Sequence, residues 1–299
     1  MRKQKIEQQN FTAKDFTRLF PDDNACLEWI KNARYPNGIL CITCKKITKH
    51  HKLVKRPVYE CDRCGHQVSP LAWTIFHKSS TPLKIWFDAI HEMATTRTGF
   101  SAKALQRKHG VTYKTAWRIF RQIRTLLDEN ASIFTEEVEV DEMYMGGKRK
   151  GIRGTSLIGK SAVVGITQRK GKVSSKVVTD VSRYTVVPLI QKNVIKKAIV
   201  YTDDSAIYNN LDKYGYNHKT INHSEGKYVN GDIHTNNIEG FWSLVKRGID
   251  GCYHAVSPKY LQSYLNEYQF RYNHRLEECP MFLTVLNQIP LHSRAAKPY

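Results

Sequence analysis

Cys41-Ile-Thr-Cys44 and Cys61-Asp-Arg-Cys64 constrain what this chain can fold into more tightly than any other stretch. A two-residue spacer lets both sulfurs of a tight turn reach one ion, and two such knuckles complete a tetrahedral thiolate site. The 16 residues between the pairs fall within the spacing of a zinc ribbon. The expectation is one Zn²⁺ held by Cys41, Cys44, Cys61 and Cys64, closed to further ligands and therefore structural. His66 stands close enough to substitute, but four thiolates make it unnecessary. His50 to Tyr59, between the knuckles, reads as a strand pair rich in Lys and Arg. The total of seven cysteines is odd and four sit in tight pairs, which favours reduced metal ligation in the cytoplasm over a disulfide framework. Cys26, with no companion nearby, reads as a small core residue.

The charge balance says what such a chain would meet. Its 299 residues carry 47 Lys and Arg against 27 Asp and Glu, a formal net charge of +20. Residues 1–130 hold 24 basic and 11 acidic side chains, a net +13, which leaves +7 for the remainder. A field of that sign points to a polyanion, most simply nucleic acid. An apolar content of 41% and an aromatic content of 11% exclude a disordered chain. No apolar run approaches the length of a membrane span, and the opening Met1 to Asn10 lacks the apolar centre of a signal peptide. A cytoplasmic protein with no membrane partner is expected.

Taken in order, residues 1–12 are polar and expected to fray. Asp22-Asp23-Asn24 caps a short helix. After the ribbon, Thr81 and Pro82 open a helix that buries Leu83, Trp86, Phe87, Ile90 and Met93. Ser101 caps a second helix through His109, Gly110-Val111 turns, and Thr112 caps a third from Tyr113 to Leu127. A short helix, a glycine turn and a longer helix bearing Lys114, Arg118, Arg121 and Arg124 resemble a helix-turn-helix. Thr112, Tyr113, Lys114, Arg118 and Arg121 are its candidate DNA-binding residues. A plain three-helix bundle with a basic surface is the alternative.

From Glu137 the period changes. Val138 and Val140 alternate with Glu139 and Asp141, as on a strand with two unlike faces. Met145 to Lys160 reads as a basic, glycine-rich loop. Two further strands follow (162–167 and 172–181), then a helix (185–194), a buried strand (198–202) ending in Asp203-Asp204, a helix (205–214) and a short strand (219–223). A loop with Gly226 and Gly231 leads to His234-Thr-Asn-Asn-Ile-Glu-Gly-Phe-Trp-Ser-Leu-Val-Lys-Arg247. There Ile238, Phe241, Trp242 and Val245 form one apolar helical stripe, while Asn236, Glu239, Ser243 and Lys246 lie opposite. His234 or Thr235 is expected to open this helix and Gly248 to end it. A last helix starts at Ser257-Pro258, with Tyr260, Leu261, Tyr264, Leu265 and Tyr268 as core.

That order of strands and helices is mixed α/β and fits a ribonuclease-H-like layer structure. It would bring together Asp141 from the first strand, Asp203 from the end of the fourth and Glu239 from the helix. Three converging carboxylates repel unless divalent cations neutralise them, and hard oxygen donors suit Mg²⁺ or Mn²⁺. Two such ions serve phosphoryl transfer. Lys246 would hold a phosphate nearby. Glu139, Glu142, Glu225 and Asp232 read as solvated or loop acids.

These features resemble the bacterial insertion-sequence transposases of the DDE class that carry an N-terminal zinc ribbon, the ISXO-like family. The carriers are the two cysteine knuckles, Thr74-Ile-Phe-His77, Val111-Thr-Tyr-Lys-Thr-Ala-Trp117, Val140-Asp-Glu142 with Gly146-Gly-Lys148, and the stretch from His234 to Gly248. The resemblance implies binding to terminal inverted repeats and metal-dependent DNA strand cleavage and transfer. It also implies a homo-oligomer acting on double-stranded DNA, associated with the nucleoid when bound. It makes Asn236 a competitor of Glu239 for the third acidic role. Where the family usually has Gly after the second acid this chain has Asp204, and Asp203 is favoured as the ligand. The first knuckle lacks the family's usual Pro after Cys41. The expected domains are an N-terminal helical segment (1–36), the ribbon (37–70), a helix-turn-helix region (71–130), the ribonuclease-H-like domain (131–291) and a basic tail (292–299). The competing functions are a DNA-binding regulator with an inactive transposase-derived domain, and a ribonuclease-H-like nuclease without strand transfer.

Overall fold

The computed structural model describes residues 11–129, 133–146, 159–221 and 235–292. The basic loop beyond Gly146, the glycines at 226 and 231, Glu225, Asp232, His234, the start before Phe11 and the tail after His292 lie outside them. The chain forms two compact units, residues 1–126 with 276–299, and residues 127–275.

In the first unit, Thr12 caps helix α1 (Ala13–Leu19) through a reciprocal box with Asp15, an element the polar start had concealed. Asp22 caps α2 (Asp23–Arg34). The ribbon follows as β1 (Leu40–Cys41) paired with β2 (Lys46–Ile47), and a three-stranded sheet of β3 (His50–Lys52), β4 (Tyr59–Cys61) and β5 (Gln67–Val68). Three helices come next: α3 (Leu83–Thr95), α4 (Ala102–His109) and α5 (Tyr113–Thr125). Pro82, not Thr81, is the N-cap of α3, and there is no side-chain cap bond there. Instead the Lys84 amide donates to Asp23 Oδ1 at 2.8 Å. Between α4 and α5, Gly110 takes φ 67°, the left-handed conformation that a tight helix stop favours in glycine. Ser101 and Thr112 cap the two helices as expected.

From the sequence, the last domain is expected to extend to residue 291. The segment from Leu276, with α9 (Met281–Leu286) and α10 (Gln288–Leu291), belongs instead to the first unit. Phe282 explains this: it is buried in an aromatic cluster with Phe16, Phe20 and His91.

The second unit is built on five strands: β6 (Glu137–Met145), β7 (Ser161–Gln168), β8 (Val173–Val178), β9 (Ile199–Asp203) and β10 (Asn217–Ile221). They lie in the order β10-β9-β6-β7-β8. The pairs β6–β7 and β7–β8 are antiparallel, while β9 runs parallel to β6 and β10 parallel to β9. Helix α6 (Arg183–Asn193) joins β8 to β9, and α7 (Asn236–Gly248) and α8 (Pro258–Asn273) follow β10. Residues 162–167 of β7 are all buried, as a strand covered on both faces requires. Val138, Val140, Val164, Ile166 and Val200 pack with Val186, Val187 and Ile190 of α6 on one face. Met143 and Val163 pack with the apolar stripe of α7 and with Leu261, Leu265 and Tyr268 of α8 on the other.

Two local expectations fail. Residues 205–214 form two short 3-10 turns, Ala206–Tyr208 and Leu211–Tyr214, because Asn210 between them sits at φ 69° and interrupts any helix. Gly248 does not stop α7, which runs on into a π-helical turn, Ile249–Tyr253. Glycine is required there for space: a Cβ would lie 1.9 Å from the Tyr268 hydroxyl oxygen.

Candidate active site

Strand register does the first part of the assembly. Glu139 is paired with Tyr201 on β9, and two residues further along each strand come Asp141 and Asp203. Alternation puts both aspartates on the α7 face, Asp141 in the middle of β6 and Asp203 at the end of β9, on adjacent parallel strands roughly 4.8 Å apart. Helix α7 brings the third acid. Ile238, Phe241 and Val245 are fully buried and Trp242 is 4% exposed, so the predicted stripe faces the sheet. Each such side chain contributes roughly 1.5–3 kcal/mol, enough to hold the helix there. Glu239 lies on the open side, where its Oε1 accepts from the Thr235 hydroxyl at 2.9 Å.

A cavity of about 570 Å³ opens at this place, lined among others by Asp141, Glu142, Glu239, Trp242, Lys246 and Arg247. Burial pushes the Asp141 carboxyl up to about 6, and the charges of Asp203 and Glu239 add to that. Hydrogen bonds from the Glu142 backbone and the Trp242 indole, whose Nε1 donates to Oδ2 at 3.0 Å, oppose it. Asp203 and Glu239 thus both act on Asp141, and Lys246 lines the same cavity as Asp141 and Glu239, whereas Asp203 is not among its lining residues. Asn236 is the exposed first residue of α7 and is not among the lining residues. Asp204 is exposed, whereas Asp203 is half-buried and accepts from the Ser205 amide at 3.1 Å.

Two acids expected to be solvated are not. Glu139 is fully buried, bonded by Arg169 and by the start of α7, because it shares the face of β6 on which that helix lands. Glu142, half-buried on the opposite face, accepts from the Tyr208 hydroxyl at 2.7 Å. Burial pushes its carboxyl up to about 7, with the charges of Asp203 and Asp141 adding. Strand alternation carried the signal for Glu139, which falls in phase with Asp141. Nothing in the sequence pointed to the Trp242–Asp141 or Tyr208–Glu142 bonds.

The donors around this cavity are carboxylate oxygens. They are of the kind a hard divalent cation takes, and such a charge would offset both the burial that raises Asp141 and the repulsion that adds to it. The ribbon offers a different set. The sulfurs of Cys41, Cys44, Cys61 and Cys64 all lie within 4.8 Å of one another, with Cys41 and Cys64 at 3.5 Å. Tetrahedral zinc at about 2.3 Å from each sulfur sets them roughly 3.8 Å apart, so the cluster suits a structural zinc ion. His66 is not in that group.

On α5, Thr112, Tyr113, Lys114, Arg118 and Arg121 are all exposed. The expected fourth basic residue differs: Arg124 is buried, its guanidinium 5.8 Å from the Phe120 ring centroid. It belongs to the core side of the helix. Among the described residues no helix is long and apolar enough to cross a membrane.

Comparison with known proteins agrees with this layout. Residues 133–273 match the ISXO2-like transposase domain, and residues 21–67 match the transposase zinc-ribbon domain. The chain is 26% identical over 276 residues to an uncharacterised protein in the transposable element ISH50 of Halobacterium salinarum, covering 85% of this chain and 92% of that one. It is 31% identical over 120 residues to an uncharacterised transposase-like protein of Haemophilus influenzae, covering 40% of this chain and 94% of that relative. A chain in an intasome structure of simian T-cell lymphotropic virus aligns at 12% identity over 72% of this chain and 75% of that one. Its TM-score of 0.32 is too low to bear on the fold. The chain thus belongs to the ISXO2-like DDE transposases of insertion sequences, in the group that carries a transposase zinc ribbon.

Proposed function

We propose that this protein binds the terminal inverted repeats of an insertion sequence and cleaves and joins DNA strands at the cavity between β6 and α7, with Asp141, Asp203 and Glu239 as ligands of Mg²⁺ or Mn²⁺. The observation that carries it is that Asp141 and Asp203 share the α7 face of adjacent parallel strands, while Asp141, Glu239 and Lys246 line one cavity. The strand order, with three antiparallel strands followed by two parallel ones, supports a ribonuclease-H-like reading of the second unit. When bound, the ions would activate the attacking oxygen and stabilise the leaving one in phosphodiester exchange.

The protein's own groups do the rest. Asp141 keeps lone pairs for a cation while the Trp242 indole holds one of its oxygens in place. Lys246, one wall of the same cavity, balances the charge of a bound phosphate. Asn236, at the helix start, remains the residue to test should Glu239 prove dispensable. The exposed, basic side of α5 would enter the major groove as the second helix of a helix-turn-helix, with Lys114 and Arg118 nearest the DNA. A homo-oligomer assembled on two element ends completes the proposal.

The test is cleavage and joining of duplexes bearing the element's own ends, with Mg²⁺ or Mn²⁺. Asp141→Ala, Asp203→Ala and Glu239→Ala should each abolish strand cleavage and leave end binding largely intact. Asp204→Ala should retain activity. A Glu239→Ala protein that still cleaves and joins would sink the assignment.

A further inference from the structure

We infer that Glu139 is a positioning residue for the carboxylate cavity, setting where Glu239 stands relative to Asp141 by tying the first turn of α7 to β6. The inference rests on the reading of that cavity just given. Helix α7 lacks the usual local cap: Thr235 makes no side-chain bond to its first amides, because its hydroxyl is turned to Glu239. The unpaired amides are met from the sheet. Glu139 Oε2 accepts from the backbone N–H of Asn237 at 2.9 Å and of Ile238 at 3.1 Å. Its Oε1 accepts from the Asn237 side-chain amide at 2.7 Å and from Arg169 Nε at 3.1 Å. A fully buried carboxylate is tolerated when surrounded by donors in this way, and the positive end of a helix favours it.

The second tie is one strand period further on. Asp141 accepts from the Trp242 indole, so β6 holds the helix at residues 237–238 and again at 242. Two strand residues advance about 6.7 Å, and four to five helical residues advance about the same. The two ties therefore fit without strain, and Glu239 lies between them. Gly165, paired with Asp141 on β7, sets the depth: a Cβ there would lie 2.4 Å from Trp242 Cζ2 and 2.8 Å from Ile238 Cδ1. Adding that atom would lift the helix and carry Glu239 with it. Arg169 closes the network, bonded also to Glu137 and lying 3.8 Å over the Tyr201 ring on the strand that ends in Asp203.

The experiment uses the full chain. Mn²⁺ binding is titrated and followed by electron paramagnetic resonance, alongside thermal melting and kcat and KM on end-bearing duplexes. Glu139→Ala should weaken Mn²⁺ binding by about 10- to 100-fold, as loss of a group that orients ligands does. It should lower kcat while KM for the duplex changes little. Glu139→Gln, which keeps an acceptor oxygen for the helix amides, should recover most of that affinity. Should Glu139→Ala fail to fold, Glu139→Gln and Gly165→Ala carry the test. Gly165→Ala should weaken Mn²⁺ binding in a folded protein. Lower melting with unchanged Mn²⁺ affinity in these variants would mark Glu139 as a purely structural carboxylate and overturn the inference. Asp141→Ala distinguishes the two levels. If it leaves Mn²⁺ binding intact, the reading of the cavity itself has failed, and the positioning role falls with it.

Discussion

The ribbon's four cysteines form a cluster suited to a metal and the acids of the second unit are proposed to hold another, yet the two sets are assembled in opposite ways. Cys41 to Cys64 spans 24 residues, and each knuckle is made by its own short turn. Asp141 to Glu239 spans 99 residues and comes together only when β9 pairs with β6 and α7 docks on the sheet. A local cluster needs little around it beyond the ion. A distant one needs buried supports, and the cavity has them in Glu139, Trp242 and Gly165. The difference also separates roles. Four thiolates close a coordination sphere, whereas a half-open group of carboxylates leaves positions for substrate.

The largest expected effect falls on the ribbon. Apparent zinc-binding energies of such knuckles are on the order of 10 kcal/mol or more and are folding energies. Chelation or Cys44→Ser should therefore unfold the ribbon and weaken DNA binding, while the second unit keeps its melting transition. Metal analysis of purified protein and circular dichroism of both forms check this. Protein free of zinc with an intact ribbon would refute the structural role of the ion.

The acids should respond in activity and not in folding. Asp141→Ala, Asp203→Ala or Glu239→Ala should lower strand cleavage by about 1,000-fold or more, roughly 4 kcal/mol of barrier, with the fold kept. Lys246→Ala should cost less, since it places charge without ligating metal. Glu142→Ala is no neutral control: with Tyr208 bonded to it and the cavity beside it, a partial loss is expected. Exposed Asp204 is the better control.

The buried acid also makes stability depend on pH. The folded Asp141 carboxyl stands near 6, above its ordinary 3.8, so its ionisation opposes folding. Stability is highest while it is protonated, falls as pH rises from about 4 to 6, and stays lowered above that. In metal-free protein, Asp141→Asn should stabilise the second unit at pH 7.5 by at most about 3 kcal/mol, and by nothing at pH 4. Mg²⁺ should stabilise the unaltered protein and not the variant.

Packing beneath the site can be probed with two glycines of one helix. Gly248→Ala should destabilise by about 1–3 kcal/mol in urea unfolding, because Tyr268 occupies the space. Gly240→Ala, with nothing within 4 Å of a new Cβ, should be neutral or stabilising by up to about 1 kcal/mol. Smallest of all, Arg118→Ala on exposed α5 should weaken end binding by roughly tenfold and lower the salt slope by about one charge. Unchanged affinity in a folded protein would return α5 to a structural role.

Much of the molecule was legible before folding was considered. The knuckles are a matter of spacing along the chain, and the stripe of α7 and the alternation of β6 are periodicities. Such features depend on neighbours within a few residues, so the ribbon and most helices and strands can be read along the chain, and three acids can be singled out as candidates. The rest follows from long-range packing. Phe282 draws the segment from Leu276 into the first unit, Asn210 breaks a helix that composition favoured, and Tyr208 reaches across 66 residues to Glu142. Glu139 makes the point most clearly. Its alternation placed it on the face of Asp141, but only the landing of α7 98 residues later turned a charged strand residue into a buried cap. Burial and partner are properties of what packs against a residue, and periodicity names the face without naming what will cover it.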